Sequence, residues 1–326
     1  MSQIRMGVIG LGYWGPVLAK NCVTHPKTRL TAIADLNQAR LDNAKPQFKD
    51  ALLFTNYRDM LPHVDAVAIA TPVHTHFDIG MECIRAGKHL LIEKAMTRTS
   101  DEGRALLAEA EKHKVLIAVD HLLLFQGMLR KVKQVVDSGE LGEILYYYSV
   151  RANLGLFQQD VDVIWDLGPH ELSQMIYLLG EPKKILQPAG SAHFPVGLID
   201  DVFIHASYGG SLVATAYISW LSPFKSRSTV IGGTKKMLAF SDLWAGEEIK
   251  IYDRNVQASF ENGVHSYKYA RGGIVIPAVP VVEPLKLEID EFASAIMEGG
   301  KLTSDGKLGL DIVEMLEQCR ESLAKK

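Results

Sequence analysis

A glycine-rich hexapeptide near the start of the chain has the spacing of a phosphate-binding loop. Gly10, Gly12 and Gly15 form the pattern G-x-G-x-x-G between the strand-like run 6–9 and a helix pattern. The first glycine permits the turn, the second lets a pyrophosphate approach the backbone, and the helix N-terminus receives the phosphates. Asp35 ends the second strand-like run, about 20 residues after Gly15, where a carboxylate binds the ribose hydroxyls of NAD and repels the 2′-phosphate of NADP. The pattern predicts an NAD site; the alternative is a tight loop with Asp35 as the cap of the next helix.

Two further strand-like runs end in polar residues at the sheet edge where doubly wound folds bind ligands. Run 66–70 continues into Thr71-Pro72, and run 89–92 into Glu93-Lys94. We expect Thr71 and Pro72 to line the nicotinamide side and Lys94 to project beside it. An ammonium with an ordinary pKa of about 10.4 donates hydrogen bonds unperturbed, but it acts as a base only when desolvated or near another cation. The alternative is a plain surface lysine.

Histidines offer a second kind of chemistry. Asp166 precedes His170 in the segment 165–170 (WDLGPH), where we predict that Asp166 caps a helix and His170 lies about one turn later. Histidine is the usual general base near neutral pH, and a carboxylate can fix its tautomer. A core histidine beside a capping aspartate is the alternative.

His74 and His76 are spaced i, i+2, but no further ligand stands at metal spacing, so we predict no metal site.

Together these motifs resemble the Gfo/Idh/MocA oxidoreductase family over nearly the whole chain. The resemblance implies an N-terminal Rossmann domain for the dinucleotide, a C-terminal α/β domain with an open antiparallel sheet, and homodimers or homotetramers formed through that sheet. It also implies that Lys94 is the catalytic lysine of the family's E-K-P motif, with His170 and Asp166 as the catalytic histidine and aspartate. Ala95 stands in place of the proline, which loosens the turn after Lys94 but removes no reactive group.

Finer features resemble the branch that acts on nucleotide-linked sugars, with dehydrogenases of UDP-N-acetylglucosamine and its uronic acid at the C3 hydroxyl as the nearest match. These features are the segments 12–16, 139–142, 151–155, 165–167 and 219–220. The expected cofactor residues are Gly10, Gly12, Tyr13, Trp14, Gly15, Asp35, Thr71, Pro72, His76, Glu93 and Lys94. The expected substrate residues are Lys94, Arg151, Asn153, Trp165, Asp166 and His170.

Some of these substrate contacts have plain alternatives. Arg151 and Asn153 present a guanidinium and an amide that suit a carboxylate, a phosphate or a sugar hydroxyl, and Lys225 and Arg227 present similar groups. Solvated loops or ion pairs are the alternatives at each of these positions. The aromatic run 146–148 is expected to pack in the sheet.

The elements that position these residues follow from hydrophobic patterning. Between residues 4 and 120, runs that are apolar throughout alternate with helix patterns, for example over Ser100 to His113, as parallel strands and crossover helices do. From Glu143 onward apolar and polar residues alternate, Gly209-Gly210 and Gly232-Gly233 predict hairpins, and helices are expected at about 166–179, 285–298 and 306–323. We therefore predict an α/β chain with a doubly wound NAD-binding Rossmann domain at 1–121. We also predict an α+β domain at 122–326 with a large, open, mainly antiparallel sheet, and the resemblance implies that this domain binds substrate and forms oligomers.

Composition excludes several classes of protein. A length of 326 residues with 47% hydrophobic and 22% charged residues fits two globular domains, and a net charge of −3 leaves no basic surplus for nucleic acid. Three widely spaced cysteines fit neither a disulfide framework nor a zinc cluster. No signal-peptide pattern and no run of about 18 apolar residues occurs. We expect a cytoplasmic protein without a membrane or nucleic-acid partner.

The sequence thus predicts an NAD-dependent enzyme that oxidises a sugar hydroxyl to a ketone or performs the reverse reduction. His170 accepts the hydroxyl proton, Lys94 polarises the oxygen and Asp166 orients His170. One alternative is a dehydrogenase of a free sugar or an inositol from the same family. A more distant one is a non-catalytic regulator that senses NAD, although such a protein has no need of acid–base groups beside the nicotinamide.

Overall fold

The computed structural model describes residues 3–155, 157–158, 161–194, 197–244, 248–261 and 263–324. The chain forms two compact units. The first comprises Met1–Phe125 and Glu283–Glu314, and the second comprises Gln126–Val282 and Met315–Lys326. The sequence had assigned residues 283–314 to the substrate domain, whereas by packing they belong to the first unit. The division of function between residues 1–121 and 122–326 stays a prediction.

The first unit contains a parallel sheet with helices on both faces. Its strands are β1 (Ile4–Ile9), β2 (Thr28–Ala34), β3 (Leu52–Phe54), β4 (Ala66–Ile69), β5 (His89–Glu93) and β6 (Ile117–Asp120), in the order β3-β2-β1-β4-β5-β6. Its helices are α1 (Gly15–Thr24), α2 (Gln38–Ala44), α3 (Tyr57–Met60), α4 (His76–Arg85) and α5 (Ser100–His113), with 3₁₀ turns at Leu61–His63, Val73–Thr75 and Leu122–Phe125. This topology confirms the predicted Rossmann fold.

Side chains of the central strands enter two separate cores. In β1, Val8 belongs to the core on one face and Ile9 to the core on the other, because successive residues of a strand point to opposite faces. This is why the strands are apolar throughout. Helix α8 (Pro284–Glu298) adds Leu285, Ile289 and Phe292 to the core that also holds Leu18 of α1, which explains its place in the first unit.

The second unit contains a mixed, mostly antiparallel sheet. Its strands are β7 (Ile144–Leu154), β8 (Lys184–Ile185), β9 (Ala189–Ser191), β10 (Asp201–Gly209), β11 (Leu212–Ser219), β12 (Leu221–Gly233), β13 (Met237–Phe240), β14 (Ile249–Glu261) and β15 (Val264–Val275). The order is β15-β14-β13-β12-β7-β11-β10-β8, and β9 pairs with β10. Helices α6 (Gly127–Asp137) and α7 (Val163–Leu179) belong to this unit, and α9 (Gly306–Ala324) ends in it.

The predicted hairpins are present in this sheet. Strands β10 and β11 pair antiparallel around Gly209-Gly210 as predicted. Strands β12 and β13 also pair antiparallel, but Gly232 and Gly233 are still part of β12 and the turn follows them. The β7–β11 pair is parallel, which makes the sheet mixed. Among the residues that the structure describes, no helix is both long and apolar enough to cross a membrane.

Candidate active site

The glycine loop has the backbone of a dinucleotide-binding turn. Gly10 has φ +94°, and a Cβ there would lie 2.6 Å from the carbonyl oxygen of Ala70. A Cβ on Gly15 would lie 1.9 Å from the carbonyl oxygen of Gly10, whereas a Cβ on Gly12 would meet nothing within 4 Å. Gly10 and Gly15 are therefore required by the turn and by helix packing, and Gly12 leaves open space beside the backbone.

Helix α1 begins directly after this loop. Its N-cap residue, Trp14, makes no side-chain capping hydrogen bond, and no acidic residue lies in the first turn. The first amides of a helix point outward and favour an anion. Tyr13 is 85% exposed and meets Trp14 edge to face at 5.5 Å. Contact of these two aromatic side chains with a cofactor stays a prediction.

Asp35 fixes the glycine loop to the end of β2. Its Oδ2 accepts a hydrogen bond from the backbone N–H of Leu11 at 2.6 Å, and its Oδ1 accepts one from Asn37 N at 2.8 Å. Asn37, not Asp35, caps α2, since Asn37 Oδ1 accepts from Ala39 N at 2.9 Å. The capping alternative for Asp35 is therefore wrong, and its buried carboxylate lies beside the loop where the ribose prediction requires it.

His76 connects the ends of two strands. The side chain is 1% exposed, with Nε2 2.8 Å from the carbonyl oxygen of Thr71 and Nδ1 3.0 Å from that of Ala95. Burial lowers the pKa of His76, and a neutral imidazole donates only one hydrogen bond. Both ring nitrogens face backbone carbonyl oxygens, one on each side of the ring, and the single N–H of the neutral ring donates to one of them. His76 therefore packs between the segments next to Pro72 and Lys94 and hydrogen-bonds to one of the two. Direct contact of His76, Thr71 or Pro72 with a cofactor stays a prediction.

Glu93 and Lys94 lie at the end of β5, at the same sheet edge as the glycine loop. Glu93 is buried and stands opposite Asp120 in the β5–β6 register. Lys94 is half-buried, and its charge acts on Glu93, Asp120 and His121. Burial, together with the charge of Lys94, lowers the pKa of His121 to about 3. The predicted catalytic lysine therefore lies in a dense group of titratable side chains within the first unit.

The second unit places Asp166 and His170 on α7. The helix is capped by Asp162, whose Oδ1 accepts from Trp165 N at 3.1 Å, so the prediction that Asp166 is the cap is wrong. The helix begins earlier because Asp162, four residues before Asp166, also supplies a capping carboxylate. Asp166 Oδ2 instead accepts a hydrogen bond from Trp220 Nε1 at 3.0 Å. His170 follows Asp166 at i+4, which places both side chains on one face of the helix.

The two arginines that the sequence offers as substrate contacts lie in ion pairs. Arg151 is 7% exposed, and its Nε donates to Oε1 of Glu171 at 2.6 Å. Arg227 Nη1 donates to Asp242 Oδ2 at 2.9 Å. The ion-pair alternative therefore describes both arginines, and a direct substrate contact of Arg151 stays a prediction, as it does for Asn153. Lys225 is exposed on β12.

Two family models match the chain. Residues 4–121 match "Oxidoreductase family, NAD-binding Rossmann fold", and residues 129–239 match "GFO/IDH/MocA C-terminal domain". The chain belongs to the Gfo/Idh/MocA oxidoreductase family. The resemblance inferred from the motifs is confirmed.

Relatives of this Gfo/Idh/MocA oxidoreductase span its whole length. It is 23% identical to the scyllo-inositol 2-dehydrogenase (NADP(+)) IolW of Bacillus subtilis, over 100% of this chain and 95% of the relative. It is 26% identical to a UDP-N-acetylglucosamine 3-dehydrogenase of Acidithiobacillus ferrooxidans, over 98% and 97%. The solved structure of UDP-N-acetylglucosamine 3-dehydrogenase GnnA from that organism superposes with a TM-score of 0.81 at 24% identity, covering 99% and 98% of the two chains. This similarity confirms the fold.

The loop of this Gfo/Idh/MocA oxidoreductase fits the pyrophosphate of a nicotinamide dinucleotide. Gly12 leaves room for a pyrophosphate, the amides at the start of α1 can receive its charge, and Asp35 lies within hydrogen-bonding distance of the loop. Sequence reasoning missed three buried side chains near the end of β5, namely Asp120, His121 and Glu288. Asp120 also ends a strand at this sheet edge, so the strand-end argument that identified Lys94 also applies to it.

Proposed function

We propose that this protein is an NAD-dependent dehydrogenase that transfers hydride between the C3 position of a nucleotide-linked sugar and nicotinamide. At a coarser level it is an NAD(P)-dependent oxidoreductase of the Gfo/Idh/MocA family that acts on the CH–OH group of a sugar or an inositol. The decisive observation is that Lys94 follows β5 at the sheet edge where the glycine loop follows β1. A hydrogen-bond donor and a dinucleotide loop at one edge fit hydride transfer to or from a carbinol.

In this proposal each catalytic group has one task. Bound NAD supplies the acceptor for the hydride that leaves the carbinol carbon. His170 accepts the hydroxyl proton, because a histidine near neutral pH can hold a proton in one direction and return it in the other. The Lys94 ammonium donates a hydrogen bond to the oxygen as negative charge develops on it. Asp166 orients His170, and the Trp220 indole holds the Asp166 carboxylate in place.

The preference for NAD over NADP is part of the proposal, and it rests on Asp35. The carboxylate is 8% exposed and held by two backbone N–H groups, so it cannot move away from a 2′-phosphate. Arg40 Nη1 lies 3.5 Å from Asp35 Oδ2 and is itself half-exposed. We expect Asp35→Asn to weaken NAD binding about tenfold or more. Both oxygens of Asp35 accept from backbone N–H groups, and the NH₂ group of an asparagine would face one of these donors without being able to accept from it.

Equilibrium binding of NAD and NADP to the wild type and to Asp35→Asn tests this preference. Asp42→Asn, on the exposed face of α2, is the matched control. Tighter binding of NADP than NAD by the wild type would contradict the proposal.

A substrate panel tests the proposed function. UDP-N-acetylglucosamine and its uronic acid are compared with free hexoses and with myo- and scyllo-inositol, and NADH formation is followed by absorbance. We expect kcat/KM to be highest for a nucleotide-linked sugar, with a ketone at C3 of the product. The relative IolW is named as an inositol dehydrogenase, so an inositol is the specific rival. Highest turnover with an inositol or a free hexose would replace the nucleotide sugar in this proposal.

A cytoplasmic location and assembly into a homodimer or homotetramer through the sheet of the second unit also belong to the proposal.

A further inference from the structure

Three carboxyl groups are buried together beside Lys94. Glu93 ends β5 and Asp120 ends β6, opposite each other in the strand register, and Glu288 comes from α8. Their exposures are 9%, 5% and 2%. The Asp120 carboxyl lies within hydrogen-bonding reach of both Glu93 and Glu288. All three residues belong to the first unit, so one compact body brings together residues far apart in the sequence.

Contact between carboxyl groups requires shared protons, because an ionised carboxylate only accepts hydrogen bonds. Three carboxyl oxygens of the cluster receive no hydrogen bond from a nitrogen or hydroxyl donor in the described part of the chain. They are both oxygens of Glu288 and Oε1 of Glu93. Asp120 is the carboxyl group that can accept from both glutamates, and it also receives a hydrogen bond from the backbone N–H of Leu122. Glu93 receives a backbone hydrogen bond as well, from Lys94, but of the two other acids Asp120 alone is within its reach. The arrangement therefore favours Glu93 and Glu288 as neutral donors and Asp120 as the ionised acceptor.

The pKa shifts of the three acids agree with this distribution of protons. Burial and the neighbouring Asp120 raise the pKa of Glu93 and of Glu288 well above the usual range. Burial raises the pKa of Asp120 as well, while hydrogen bonds from the two glutamates act in the opposite direction. Ionising all three groups would place like charges in contact in a site with little water, which is strongly unfavourable.

Three titratable groups on neighbouring segments face this cluster, and of these Lys94 is the cation. His121, next to Asp120, has a pKa of about 3 and is therefore neutral at higher pH. Glu291 of α8 acts on Glu288, and its own carboxylate accepts hydrogen bonds from the backbone and side chain of Thr303. Lys94 acts on both Glu93 and Asp120. One positive charge thus meets one negative charge in the cluster.

We propose that Glu93, Asp120 and Glu288 form a proton-sharing cluster whose single negative charge, on Asp120, faces the Lys94 ammonium and orients it. The three acids are positioning residues, since they act through Lys94. The role of Lys94 in the reaction rests on the proposed function, but the arrangement of charge and protons does not. The neutral glutamates stabilise the Asp120 carboxylate by hydrogen bonds without adding charge.

The pH dependence of turnover tests the link to Lys94. Asp120→Asn keeps the shape of the side chain and removes the negative charge, and an opposite charge nearby favours the ammonium form of a lysine. We expect kcat to fall about tenfold and the alkaline limb of its pH profile to move down by about one pH unit or more, with NAD binding unchanged within about twofold. Glu288→Gln leaves the Asp120 charge in place, so its limb should move by less than half as much. Glu298→Gln, at the exposed end of α8, is the matched control.

Either of two outcomes would overturn this assignment. An unmoved alkaline limb in Asp120→Asn would separate the charge from Lys94. A larger shift in Glu288→Gln than in Asp120→Asn would place the charge on Glu288.

Infrared spectroscopy of the wild type tests the shared protons without substrate or catalysis. We expect the carbonyl band of a neutral carboxyl group to persist at pH 8 and to weaken in both Glu93→Gln and Glu288→Gln. Absence of that band in the wild type at pH 8 would overturn the cluster, even if the variants failed to fold. A persistent band in a protein that turns over no sugar or inositol would leave the cluster standing and reject the proposed function.

Discussion

At the residue scale, the proposed mechanism depends on Lys94 and His170, which have separable tasks. We expect Lys94→Met and His170→Phe each to lower kcat by about 10²- to 10⁴-fold, because each variant removes a group that acts on the reacting oxygen or its proton. The dissociation constant of NAD should stay within about threefold, since neither side chain belongs to the glycine loop or to Asp35. Steady-state kinetics and NAD titration measure both effects, with Lys301→Met at an exposed position as the control. Rates close to wild type in either variant would remove that residue from the mechanism.

His121 gives a prediction about stability against pH. Burial lowers its pKa from 6.5 to about 3, so folding releases a proton at intermediate pH. Its contribution to stability is complete above about pH 6.5 and is lost as the pH falls toward 3. We expect Tm to fall less between pH 7 and pH 4 in His121→Phe than in the wild type. Thermal denaturation measures this slope, and the exposed His74→Phe should keep the wild-type slope; equal slopes in all three proteins would contradict the pKa shift.

Residue-scale chemistry could be predicted where it follows strand ends. Asp35 and the pair Glu93-Lys94 each come directly after a run of apolar residues, and parallel strands bring such ends to one edge. Glu288 gave no comparable signal, because its meeting with Asp120 depends on how α8 packs on the first unit. The burial of Arg151 against Glu171 depends in the same way on tertiary packing. The spacing of residues within α7 contains no information about Arg151 of β7, with which Glu171 pairs.

At the element scale, the start of α7 determines what Asp166 can do. Asp162 is buried, caps the helix through Trp165 N, and lies 3.3 Å from Nε of Arg320. We expect Asp162→Ala to lower the free energy of unfolding by about 1–2 kcal/mol, because a first-turn amide loses its acceptor. Asp162→Asn keeps the capping oxygen and should cost less, and both variants lose the ion pair with Arg320, so their difference isolates the cap. Equal losses of Tm in the two variants would contradict the capping role.

Elements with a buried face were predicted better than those without one. Helix α5 is present over the predicted residues 100–113, because Thr99 caps its start and its apolar side chains enter the core. The long β14–β15 hairpin was missed, and nearly every residue of β15 is exposed. A strand without a buried face has no need of alternating apolar residues, so its sequence lacks the period-two signal. The short edge strand β3 escaped detection for lack of length.

At the scale of the whole molecule, the predicted order of two folds along the chain is correct, but one segment crosses between the compact units. Residues 283–314 return to the first unit after the sheet of the second is complete. The amphipathic pattern of α8 predicts a helix with one buried face, and it contains no information about which of two cores will bury that face. Chain order alone therefore placed α8 in the second domain.

The face of the second sheet opposite α7 gives the prediction about assembly. Tyr146 and Tyr148 of β7 are about two-fifths exposed, and so is Phe203 of β10, whose ring stacks on Tyr217 of β11 at 4.5 Å. Strand register places these side chains on one face, because Tyr146 pairs with Val213 and Phe203 with Tyr217. An apolar patch of this kind on a folded protein favours association, which fits the proposed homodimer or homotetramer.

Charge placed in this patch should break the assembly, since burying an unpaired carboxylate is strongly unfavourable. We expect the wild type to sediment as a dimer or tetramer at micromolar concentration, and Tyr148→Glu and Phe203→Glu to sediment as smaller species with unchanged circular dichroism. Val23→Glu, at an exposed position on α1, should leave the sedimentation coefficient unchanged. A monomeric wild type would exclude this face as an interface. Variants that sediment as an oligomeric wild type does would exclude it too, because a symmetric contact would bury the new carboxylates of both subunits without partners.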